Sequence, residues 1–187
     1  MNPTFGAGVS MPVEGSGFAK VKGAKSLCAI LFEIGKDNLV NHGSHIPMVC
    51  FFCKEQVHFL TIPFDLEEFP SVVKMLIQKF DALGVGLVSE AWTVELEPGE
   101  SVLDVQQRPS ENPNRKEMFL VRTEWKSGKT RHSGRMAYML RDEHGQLTGF
   151  LEDDTKNKAM SNGSMTGRLV GFFDEAEKEK SNEASNS

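Results

Sequence analysis

Cysteine is scarce in this chain and does not pair off: Cys28, Cys50 and Cys53 make three in 187 residues. An odd number, with two members inside one apolar run, argues against a disulfide framework and for a reducing compartment. Long hydrophobic runs are missing as well. The nearest is Met48 to Cys53, far short of the roughly 20 residues that cross a bilayer as a helix. Residues 1 to 20 lack the apolar core, roughly 7–15 residues long, of a secretory signal. Positive charge is not in excess either. A formal net charge of −5 and a pI near 5.6 give no electrostatic reason to bind nucleic acid, whose phosphates ask for a basic surface. A cytoplasmic location with neither membrane nor nucleic acid as partner is the expectation. There is no GxGxxG, P-loop, GxSxG, HExxH or EF-hand pattern. Gly84-Val85-Gly86 follows a helix pattern and precedes a strand pattern, the reverse of a dinucleotide site. No cofactor is expected.

What is present, 39% apolar and 25% charged residues, suits a globular surface around one core. Gly6, Gly8, Gly15 and Gly17 with Pro3 and Pro12 raise the entropic cost of ordering the start of the chain, so 1–20 reads as a flexible lead. The polar run from Asp174 reads as a disordered tail, leaving 21–173 as a single domain. Ala24, Leu27, Cys28, Leu31 and Ile34 recur at helical spacing, with Gly35 expected to end or bend the helix. Met48–Cys53 and Gln56–Ile62 form a hairpin pattern. Val72, Val73, Leu76, Ile77, Phe80 and Leu83 mark a second helix, with Pro70 best placed in its first turn and Gly84 as its terminator. Val85–Leu96, Glu117–Trp125, Arg131–Arg141 and Leu147–Leu151 then read as successive strands. The fold class that follows is α+β, a largely antiparallel sheet made of a hairpin and then a meander, with two helices packed on one face. Leu31, Phe51, Phe59, Leu76, Phe80, Leu87, Trp92, Val121 and Tyr138 are its expected core. Around Gly167–Phe173 a further short apolar element is expected to dock.

Few residues carry a hint of chemistry. Cys50 and Cys53 form a CxxC near His42, His45 and His58, yet residues three apart on a strand point to opposite faces, which disfavours a shared metal. His45 sits in the loop leading into the first hairpin strand. Glu90 shares an alternation face with Val88 and Trp92 and needs a partner if buried. Arg122 and Arg135 are the candidates. The connection from Arg108 to Arg115 holds two prolines and two arginines. It reads either as a stiff connector with Ser and Asn turns or as an anion contact. Were a ligand bound, it would lie among His45, Glu90, Trp92, Arg108 and Arg115.

Val88-Ser89-Glu90-Ala91-Trp92, the run Arg108-Pro109-Ser110-Glu111-Asn112-Pro113-Asn114-Arg115 and the strand Met118–Thr123 resemble a group of uncharacterised bacterial and phage-associated proteins. The resemblance implies one domain and a bacterial or phage setting, and no activity. With no acid, base and nucleophile legible together, a non-enzymatic binding or assembly module is the leading expectation. Its simplest partner is a second copy of the chain or another protein, met through an edge strand. The alternative is a metal-dependent hydrolase or nuclease-like enzyme using Glu90 and His45.

Overall fold

A computed structural model describes residues 8–44, 47–61, 67–94, 109–126, 131–162 and 171–173. Its strands are β1 (Val9–Pro12), β2 (Met48–Phe52), β3 (Gln56–Leu60), β4 (Gly84–Thr93), β5 (Lys116–Trp125), β6 (His132–Arg141) and β7 (Leu147–Glu152). They form one seven-stranded sheet in the order β1-β3-β2-β4-β5-β6-β7. Every neighbouring pair is antiparallel. The helices are α1 (Ala24–His42), α2 (Phe69–Phe80) and α3 (Asp154–Asn162). The α+β class and the hairpin-then-meander order follow the sequence reading.

The two long helices do not share a face. Along β2, Cys50 and Phe52 join the cluster built on α1, whereas Val49 and Phe51 join the cluster built on α2. On β4, Val88 packs with α1 while Val85 and Leu87 pack with α2. Side chains alternate across a strand, so these clusters lie on opposite sides of the sheet. The expectation of one covered face fails because the central strands are apolar on both faces, a pattern that requires a cover on each. A third helix shares the α2 side. Asp153 Oδ1 accepts the Thr155 and Lys156 amides at its start, each at 3.0 Å. Asn157 Oδ1 accepts the Met136 amide of β6 at 2.8 Å. Polar capping, without an apolar stripe, explains why periodicity missed α3.

The lead predicted to be flexible through residue 20 is ordered from Gly8 onward. β1 pairs with β3 from Val9↔Phe59 to Pro12↔Gln56. A short 3-10 turn at Gly17–Lys20 buries Phe18 to 2% exposure, edge-on to Phe59. One aromatic anchor and a few backbone bonds offset the entropy that its glycines add. The tail from residue 174 lies outside the described residues.

Gly35 does not end α1. It is buried in mid-helix, and a Cβ there would overlap the Phe119 ring of β5. The helix stops instead at Gly43, whose φ of 74° is left-handed and whose N–H donates to the Leu39 carbonyl at 2.8 Å. Gly84 likewise does not terminate α2. Asp81 takes the left-handed position with φ 48°, and Gly84 opens β4 where a side chain would strike Trp125. Of the expected core, Leu31, Phe51, Leu76, Leu87 and Val121 are buried, Phe59, Phe80 and Tyr138 are half-buried, and Trp92 is 42% exposed.

Gly35→Ala tests the contact with Phe119. Alanine gains about 1 kcal/mol of helix propensity over glycine, but overpacking costs about 1–3 kcal/mol. The expected outcome is a lower urea midpoint for Gly35→Ala, with part of the loss recovered when Phe119→Leu is added. A higher midpoint for Gly35→Ala alone would show that the ring yields freely.

Candidate functional site

Glu90 and Trp92 project from β4 on the α1 side, in line with Val88. Their cross-strand partners on β5 are Phe119 and Glu117. Glu117 is gripped by the guanidinium of Arg141 from β6, whose Nε and Nη2 donate to its two carboxylate oxygens. This hydrogen bonding raises Arg141 above its ordinary value, with burial opposing and the charges of Glu117 and Glu90 assisting. Glu90 therefore lies in the field of Arg141, which was not one of the two arginines expected from sequence. Arg122 projects from the other face, opposite Leu87. Arg135 is held by Glu152 at 2.7 Å and Glu33 at 3.4 Å.

Arg115 places its guanidinium carbon 4.7 Å from the centroid of the Trp92 ring, and donates through Nη1 to the Ser110 carbonyl at 2.6 Å. The connector before it is tightened by Asn112, whose side-chain oxygen accepts the Asn114 amide at 2.8 Å. Glu90, Trp92 and Arg115 thus come to one end of the sheet. His45 and Arg108 lie outside the described residues.

On the opposite face, the same end of the sheet carries a depression of about 770 Å³. It is lined by Arg115–Glu117, Tyr138–Leu140 and Leu151–Asp154. Leu140 and Leu151 stand 46% and 57% exposed on this ground. Lys156 Nζ donates to the Tyr138 hydroxyl at 2.6 Å, and the Lys116 ammonium sits 5.4 Å from the centre of the same ring. Sequence reading missed this site because Tyr138 was assigned to the core and α3 was not foreseen. The alternation of Tyr138 and Leu140 with Met139 was the signal available.

The nucleophiles among the described residues are poorly placed for chemistry. Burial pushes the Cys28 and Cys53 thiols up to about 11, and raises Cys50 further. The CxxC is split across the sheet, with Cys50 in one cluster and Cys53 in the other. Ser10 Oγ lies 2.7 Å from His58 Nδ1 across the β1–β3 pair, with the His58 ring stacked on Phe80. That dyad clips an edge strand to α2. Among the described residues no three His, Cys, Asp or Glu side chains gather as a metal would need.

No protein family model matches the chain, and neither a curated protein nor a solved structure is similar to it. Any account of its function therefore stands on its own geometry.

Where β7 ends, Glu152 accepts from Lys36 of α1 at 3.0 Å and from Arg135 of β6 at 2.7 Å. Burial alone would raise its carboxyl, but the hydrogen bonds from Lys36 and Arg135 outweigh it and hold the group below the usual range. A carboxylate depressed in the folded state contributes stability that is complete above its unfolded value, about 4.3. That contribution is lost as pH falls through the folded value. Glu152→Gln is expected to lower the urea midpoint at pH 7, with the gap to the wild type closing below about pH 4. A gap that stays constant from neutral to acid pH would assign the loss to packing instead.

Proposed function

We propose that this protein is a non-enzymatic binding or assembly module that meets a second copy of itself through the outer edge of β7. The observation that carries the reading is the contrast between the two ends of the sheet. At one end β1 is short and closes at Pro12, a residue that blunts an edge by withholding an amide donor. At the other, β7 runs Leu147-Thr148-Gly149-Phe150-Leu151-Glu152 without Pro or Lys. Among the described residues no strand pairs with its outer side. A strand of this composition presents unmatched amides and carbonyls to any chain that can align with it.

Exposed Leu151 on this strand and Leu140 on its neighbour add apolar area beside the backbone donors and acceptors. The depression next to them provides room for side chains of the incoming chain. Antiparallel pairing of two identical edges satisfies both at once through a twofold axis, which is the commonest symmetry of homo-oligomers. A bacterial or phage setting, as the resemblance implies, belongs to the same proposal.

Light scattering across a concentration series tests the reading. The expected species has twice the 20.8 kDa mass of the chain. Burying one leucine contributes about 1.5–3 kcal/mol, so Leu151→Lys and Leu140→Lys should each weaken association about tenfold or more. Both positions are exposed in the single chain, so their folding should survive. A wild type that stays monomeric at high concentration rejects the proposal, as does a dimer indifferent to both changes.

A further inference from the structure

Arg122 is the one described arginine that the sheet swallows. It lies mid-strand on β5, 6% exposed, on the face that carries α2 and α3. Its Nε and Nη2 are buried, and neither has a hydrogen-bond partner among the described residues. These two nitrogens share one edge of the guanidinium, and their N–H groups point the same way. That edge is the fork that carboxylates grip with both oxygens.

The nearby acid does not fill the fork. Glu124, two residues along and 2% exposed, turns its oxygens to the Gly171 and Phe172 amides at 2.8 and 2.9 Å. His132 Nδ1 stands 3.8 Å from the same carboxylate. Glu124 therefore offsets the charge of Arg122 from a distance and leaves its fork donors unmet. Burial lowers Arg122 from its ordinary value, and the field of Glu124 restores only part of this.

The strand neighbours of Arg122 are apolar or lack a side chain. Arg122 pairs with Leu87 on one side and with Gly134 on the other. Gly134 has no side chain, and the space above it is taken by Met160 of α3, whose Cε would lie 2.9 Å from a Cβ built there. An unbranched thioether is the side chain best able to swing aside.

We propose that Arg122 is the anchor of a binding site for a small organic carboxylate, with both oxygens on the Nε–Nη2 edge and the apolar body against Leu87 and the displaced Met160. The size of the ligand is limited to what Met160 vacates. That limit favours a short aliphatic acid over a bulky phosphate ester. This site lies apart from the β7 edge, and its success or failure does not depend on the state of assembly.

Thermal melting of the full chain with sodium butyrate, sodium phosphate or sodium chloride at equal ionic strength is the first test. Butyrate should raise the melting temperature in a saturable way, beyond any effect of the other two salts. Arg122→Met should abolish the butyrate effect and, without butyrate, melt no lower than the wild type, since it removes a buried unmet charge. Should that variant fail to fold, the Nε–H nuclear magnetic resonance of Arg122 in the wild type keeps the question decidable. That signal should move with butyrate and not with chloride. An unmoved signal, a response to phosphate alone, or a butyrate shift that survives Arg122→Met overturns the proposal.

Discussion

Cys50 and Phe52 face one way along β2, and Val49 and Phe51 face the other. Both sets are apolar, so neither face of the sheet can be left to water, and the helices are distributed accordingly. α1, the longest helix, covers β4, β5 and β6 on one side. α2 and α3 divide the other, with Phe172 and Phe173 packed into the α2 cluster. Every later feature follows from this two-sided demand. It brings Arg122 and Glu124 under cover on the α2 side, and among the described residues it leaves Leu140 and Leu151 of β6 and β7 exposed.

How closely α1 approaches the sheet is set by side chains that are absent. At Gly35 the helix backbone meets Phe119, and at Gly86 of β4 the missing Cβ makes room for Leu31. Thr123 then secures the start of the helix, its hydroxyl donating to the Ala24 carbonyl at 2.8 Å. The charged seam of Lys36, Arg135 and Glu152 fastens the same helix to β6 and β7. Partly exposed ion pairs add modest stability. They do set direction, because the seam admits α1 in one lateral position.

The framework was legible where one physical signal dominated. Helical spacing located α1 and α2, short apolar runs rich in β-branched and aromatic residues located β2 to β4, and alternation and turn residues located β5 to β7 within a few residues. Two elements without a strong apolar pattern were not legible: β1 depends on a partner 48 residues away at the Ser10–His58 pair, and α3 depends on the Asp153 cap. The face of each helix was lost because a run such as Val-Cys-Phe-Phe is apolar at every position, which hides alternation. At the candidate site, the alignment of Glu90 with Trp92 was readable from spacing. The arginine whose field covers Glu90 was not, since Arg141 lies beyond β5, and strand register is not written in any one segment.

The order of the strands along the sheet differs from their order along the chain at one end only. From β4 to β7 each strand pairs with the next in sequence. Two pairs break the sequence order: β2 joins β4, and β1 joins β3, the edge that the hairpin of β2 and β3 provides. Contacts between near neighbours cost less chain entropy to close than distant ones. In time, then, the sheet has a direction as well as a shape, with the meander able to assemble early and the first strand of the chain added last.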